Sequence, residues 1–221
     1  LENEIEKLTL MFEEHRNEEN AGPMKKYMKD HFPFLGIKSP LRKELEKKFF
    51  KETGILKEPF NKEFVLGLWE KSEREYQYTA ITYIGKFSKK LLKDDLLFLK
   101  QLITTKSWWD SVDSIAPLVG EIAKRYSEVI EETINQWSVH DNMWLRRTAI
   151  LFQLKYKGQT NENLLYQYIL ENADSKEFFI QKAIGWALRE YSKTNSDSVK
   201  SFIEGNQLAA LSVREGSKYL S

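Results

Sequence analysis

The chain has 221 residues, with 34 lysines and arginines against 33 acids and a formal charge of +1. That length supplies ample apolar surface for a core, and the near-balanced charge singles out no class of partner. Absence of cysteine excludes disulfides, thiolate zinc sites, iron–sulfur clusters and a cysteine nucleophile, and it fits a reducing cytoplasm. The histidines, His15, His31 and His140, follow no metal-ligand spacing, so neither a metal nor a cofactor is expected. No run of about 18 apolar residues exists, so no membrane span is expected. The opening Leu-Glu-Asn-Glu is unlike a signal peptide and suggests a trimmed start.

Residues 3–17 place Ile5, Leu8, Met11 and Phe12 at helical spacing. A short helix is expected from Met24 to His31. Phe32-Pro33-Phe34-Leu35-Gly36-Ile37-Lys38 reads as a loop because it carries proline and glycine. Ser39-Pro40 reads as an N-cap followed by proline in the first helical position, starting a helix to about Thr53. Residues 61–71 form another helix, with Phe64, Leu68 and Trp69 inward. Ser72 to Glu75 has capping-box spacing and opens a helix over 73–88. Further helices are expected over 94–105, from near Trp108, and over 127–138, 142–156, 161–172, 176–193, 196–205 and 210–220. Asp174…Glu177 and Ser212…Glu215 repeat the box spacing. No stretch alternates long enough to be a strand, so the chain reads as all-α.

A repeat is visible. Tyr78-Thr79-Ala80-Ile81, Asp113-Ser114-Ile115-Ala116, Arg147-Thr148-Ala149-Ile150 and Gln181-Lys182-Ala183-Ile184 recur at spacings of 35, 34 and 34 residues. Each lies on the second helix of a pair. That is the pattern of an α-α superhelix, or solenoid, of HEAT-like repeats forming one domain over 1–221. Stacked repeats would set Tyr78, Asp113, Arg147 and Gln181 in a row on one concave face. Trp144 lies beside Arg147 at helical spacing, and Lys182, Trp186 and Arg189 follow the same spacing on the last long helix.

Lys38, Lys106, Arg146, Arg147, Lys155, Lys182 and Arg189 along a curved face suit a phosphate backbone. Acids gather instead at Glu2–Glu19 and Glu128–Glu132. Within Lys106-Ser107-Trp108-Trp109-Asp110-Ser111-Val112-Asp113, Ser107 has the spacing of an N-cap, and Trp109 and Asp113 are four residues apart on one helical face. An aromatic face beside a carboxylate stabilises a cation. That suits glycosidic cleavage through an oxocarbenium-like transition state. One carboxylate suffices where the leaving group already carries positive charge, as an alkylated purine does. No lysine nucleophile is needed, so no backbone-cleaving step follows. Asp110 then reads as a helix-cap residue and Trp108 as core.

Four stretches carry a resemblance: MKKYMKDHFPFLGI (24–37), TKSWWDSVDSI (105–115), WLRRTAILFQLKYK (144–157) and KEFFIQKAIGWALREYSKTN (176–195). Over nearly its whole length the chain resembles the DNA alkylation repair family, the HEAT-like-repeat DNA glycosylases of the AlkD type. The resemblance implies hydrolysis of the N-glycosidic bond of cationic alkylpurines, 3-methyladenine and 7-methylguanine, in double-stranded DNA, without flipping the base into a pocket. It implies Asp113 as the catalytic carboxylate and Trp109 and Trp186 as tryptophans packed on the lesion's sugar and backbone. Arg147 falls on the phosphate-holding arginine, and Lys155 and Arg189 on further backbone contacts. Tyr27 and Lys38 fall in an N-terminal stretch that meets DNA near or opposite the lesion. Lys38 departs from the family pattern, which has glutamine there. With Lys106 and Lys182 these make the expected DNA-binding set of a cytoplasmic monomer. The alternatives are a non-catalytic DNA-binding protein of the same fold and a protein-binding solenoid scaffold.

Overall fold

The computed structural model describes residues 2–221, with side chains from Asn3 onward. All regular structure among these residues is helical. Two compact units make up the chain, one ending at Ser88 and one running from Lys89 onward, within the span expected to be one domain. No helix among the described residues is long and apolar enough to cross a membrane.

The first unit holds α1 (Glu2–Glu13), α2 (Glu18–Tyr27), α3 (Ser39–Thr53), α4 (Lys62–Glu70) and α5 (Arg74–Lys86). Leu8, Phe12, Phe49, Phe64, Leu68, Tyr76 and Tyr83 are buried. They form an aromatic core in which Phe49 stacks on Phe64 at 6.0 Å and Tyr83 meets Phe64 edge-on at 4.9 Å. Helix α3 starts one residue earlier than proline placement suggested, and Gly54 ends it in the left-handed conformation (φ 65°).

Two expectations fail in this unit. Helix α2 begins at Glu18 rather than Met24, because the Asn17 side chain caps it by accepting from the Asn20 N–H at 3.1 Å. Pro23 sits inside the helix, where it can donate no backbone hydrogen bond. The Ser72…Glu75 box does not form either. The N-cap residue is Glu73, with no side-chain cap bond. Glu75 is fully buried and turns to the 32–37 loop, accepting from the backbone N–H groups of Leu35, Gly36 and Ile37 at 2.9, 2.9 and 3.1 Å. A buried loop needs such a partner for its amides. Around it, the Arg74 N–H donates to the Pro33 carbonyl at 2.9 Å, and the Arg74 guanidinium lies 3.7 Å over the Phe32 ring.

The second unit holds α6 (Asp95–Ile103), α7 (Trp109–Arg125), α8 (Asn135–Ser138, preceded by a π-helical stretch, Ile130–Ile134), α9 (Met143–Leu151), α10 (Glu162–Glu171), α11 (Phe178–Ser192), α12 (Ser196–Gly205) and α13 (Ala210–Gly216). Helices α7, α9, α11 and α13 pack each on the next, while α6, α8 and α12 pack on α7, α9 and α11. This is the stacked-pair order of a helical solenoid. The recurring motif supplies the contact: Ile115, Ala116, Ala149, Ile150, Ala183 and Ile184 are all buried. Asparagines cap the helices, with the Asn142, Asn161 and Asn195 side chains accepting from first-turn amides.

Several expected boundaries move here too. Helix α9 stops at Leu151 instead of 156. Gln153 turns to accept the Asn161 N–H at 2.7 Å, and the Tyr156 hydroxyl donates to the Gly120 carbonyl at 2.5 Å. The Asp174…Glu177 spacing forms no box, since α11 begins at Phe178 with no side-chain cap bond. Ser212 is inside α13 and buried, donating to the Gln181 carbonyl at 2.8 Å.

Candidate nucleic-acid interface and active site

Helix α7 opens differently from the expected Ser107 cap. Trp108 occupies the N-cap position in extended conformation with no side-chain cap bond. Ser107 instead donates backwards to the Ile103 carbonyl at 2.6 Å, closing α6, and Lys106 takes a positive φ of 52° in the turn between the helices. Asp110 is buried in the first turn of α7 and accepts the Ser111 N–H at 2.9 Å, near the positive end of the helix dipole.

One helical turn on, Asp113 meets Arg147 of α9. The Arg147 Nε donates to Asp113 Oδ1 at 2.8 Å and its Nη2 to Oδ2 at 2.9 Å. This is a two-pronged pair in which the planar guanidinium matches the planar carboxylate. The third nitrogen, Nη1, donates to the Phe179 carbonyl of α11. Three successive repeat helices are thus tied through one arginine. Side-chain exposure is 6% for Arg147 and 15% for Asp113, so Asp113 is the more accessible member of the pair.

Aromatic rings wall the arginine in. Its guanidinium carbon lies 5.6 Å from the Phe179 ring centre. Phe179 in turn contacts Trp108 and Trp144, both at 5.0 Å, and those two indoles meet edge-on at 5.7 Å. A low-dielectric wall strengthens the ion pair it surrounds. Trp109, four residues before Asp113 on α7, is half-buried, and so is Trp186 on α11.

The remaining expected contacts fall into distinct groups. Lys182 and Arg189 of α11 both face Glu215 of α13, at 3.2 and 3.5 Å. Lys155 is exposed in the turn after α9. Arg146, beside Arg147, is half-buried. In the first unit Tyr27 ends α2 with 70% of its surface exposed, and Lys38 is exposed at the N-cap of α3. Gln181, the next residue in the row, donates to the Ser175 carbonyl at 3.0 Å. Phe179 was not singled out from the sequence, and Glu215 only as the end of a capping-box spacing. Glu215 lies one further period of 34 beyond Gln181, so continuing the repeat would have found it. For Phe179 the signal is weaker, since its backbone carbonyl does half the work.

A stacked-pair helical protein with a bidentate Asp–Arg pair across consecutive repeats defines the class. The comparisons with known proteins then place it. A model of the family described as "DNA alkylation repair enzyme" matches residues 8–220, and the chain belongs to that family. A solved structure named as a predicted DNA alkylation repair enzyme from Enterococcus faecalis is 37% identical, with a TM-score of 0.86 over 93% of this chain and 97% of that one. AlkD2 from Streptococcus mutans shares the fold at 20% identity, with a TM-score of 0.61 over 81% of this chain and 97% of that one. No curated protein matches. Membership of this family makes DNA the partner and repair of alkylated DNA the role.

Proposed function

We propose that the chain is a monofunctional DNA glycosylase that hydrolyses the N-glycosidic bond of cationic alkylpurines, 3-methyladenine and 7-methylguanine, in duplex DNA. The observation that carries this reading is the Asp113–Arg147 pair. It is a carboxylate fixed at both oxygens, still partly exposed, with Trp109 one turn away along the helix. Family membership supplies the substrate class.

The chemistry needs little from the protein. An N-alkylated purine carries a positive charge, so when the C1′–N bond breaks the electron pair leaves with the base and neutralises it. No acid is required for departure. Positive charge develops on the sugar, and Asp113 faces it as a fixed anion that needs no reorganisation during reaction. Water then adds to C1′ and its proton passes to Asp113 or to solvent. Trp109 and Trp186 pack on the sugar and backbone, with cation–π stabilisation of ~0.5–2 kcal/mol each. The base leaves without being flipped into a pocket.

Lys106, Lys155, Lys182 and Arg189 meet phosphates, and Tyr27 and Lys38 in the first unit also contact DNA. Arg147 orients Asp113 with its Nε and Nη2 N–H groups and donates a third to the Phe179 carbonyl; the phosphate contact that the resemblance implies for it would fall to the two remaining N–H groups of its five. Excision of 7-methylguanine from a defined duplex tests the proposal. Release of free base under single-turnover conditions is expected, and duplex binding without release would assign the chain to non-catalytic DNA binding.

A further inference from the structure

On α11, Lys182, Trp186 and Arg189 follow helical spacing, so the two cations flank the tryptophan along one face. Glu215 of α13 spans them with one carboxylate oxygen each: Lys182 Nζ lies 3.2 Å from Oε1, and Arg189 Nη1 lies 3.5 Å from Oε2. The arrangement is built into the backbone. Between the two cations stands Gly185, where a Cβ would lie 2.6 Å from that of Glu215. Ser212, one turn before Glu215, is buried and donates to the Gln181 carbonyl at 2.8 Å. Gly216 lets Leu188 close in, since a Cβ there would lie 3.0 Å from that of Leu188. These contacts fix α13 on α11 without the ion pairs. All three charged side chains nevertheless keep much of their surface open, at 41% for Lys182, 26% for Arg189 and 24% for Glu215. Ion pairs this exposed contribute little to stability.

We propose that Glu215 is an affinity-setting residue: an internal counter-charge that occupies the Lys182–Arg189 pair in the free protein and must be displaced or outcompeted by a DNA phosphate. This rests on the reading above that Lys182 and Arg189 meet the DNA backbone. A carboxylate and a phosphate oxygen compete for the same donors, and the Lys182 ammonium holds the Glu215 carboxyl below its usual range, so it is anionic at neutral pH. The trio presents one net positive charge to DNA instead of two. Because phosphate contacts carry no sequence information, the effect is uniform over sequence. It restrains non-specific binding.

Duplex affinity against salt concentration, on undamaged DNA by fluorescence anisotropy, tests this. The chains compared are the wild type, Glu215→Gln, Lys182→Ala/Arg189→Ala, and the triple variant. Glu215→Gln is expected to bind roughly three- to tenfold tighter at low salt and to steepen the plot of log affinity against log salt by about one unit. The triple variant is expected to bind as the double variant does. If the double variant binds less tightly than wild type but Glu215→Gln is unchanged or weaker, the counter-charge role is wrong and the DNA contact stands. If the double variant matches wild type, the pair does not meet DNA, and both readings of it fall. Glu215→Ala repeats the measurement without a hydrogen-bonding amide. Loss of the folded state in both Glu215 variants would overturn the proposal by assigning the residue to holding α13.

Discussion

Arg147 shows at residue scale why an ion pair can be more than two charges. Its fork holds both oxygens of Asp113 and its third nitrogen holds a carbonyl of the next helix. Removing one partner of so buried a pair leaves the other charge uncompensated. Arg147→Ala is therefore expected to lower folding stability by about 3–5 kcal/mol, read from the midpoint and slope of urea unfolding. Arg147→Lys keeps the charge but loses the fork. Orientation of Asp113 requires the lysine variant to lose excision rate while its duplex affinity and salt slope stay near wild type. A phosphate contact by Arg147 would show in Arg147→Ala, which removes the charge, as a slope flatter by about one unit. The thirty-four-residue recurrence by itself puts Asp113 and Arg147 in register. It does not say that they touch, because register fixes a helix face and not a rotamer.

Among the elements, the 32–37 loop gives the sharpest contrast between what is legible and what is not. Proline and glycine marked it as irregular. Its burial, and the three amides gathered on Glu75, left no local trace, since the carboxylate lies 38–40 residues away in a position that reads equally well as a capping box. Glu75→Gln replaces one acceptor oxygen by a donor facing backbone N–H groups. A loss of about 2–4 kcal/mol is expected in chemical denaturation, and a loss below about half a kcal/mol would mean that the loop amides find other partners. Gly36→Ala tests the same element from the opposite side. Gly36 has φ of 93°, and a Cβ there would lie 1.9 Å from the Asn17 carbonyl oxygen. That substitution should shift both the loop and the start of α2, lowering the melting temperature markedly. Helix ends were the least legible features throughout. Asn17 and the Gln153–Asn161 contact set them through single side chains, where periodicity is silent.

At the scale of the whole molecule, the helical class was legible because helical periodicity runs through the chain, and the paired-helix order of the second unit because the recurrence runs on from residue 78. The charge pattern was legible only in part. Acids were expected away from the row of site residues, yet Glu215 continues that row one period past Gln181 and faces two of its cations. A near-neutral total charge conceals such local pairing, because sequence counts charges without showing which of them meet. The central claim is that Asp113 stabilises the developing sugar cation. It is most directly tested by single-turnover excision of 7-methylguanine from duplex DNA by wild type and Asp113→Asn side by side, with duplex affinity measured on the same samples. Roughly a 100-fold or greater loss of excision rate with near-wild-type affinity is expected, the scale on which one fixed electrostatic partner acts. Excision by Asp113→Asn at the wild-type rate would contradict the account.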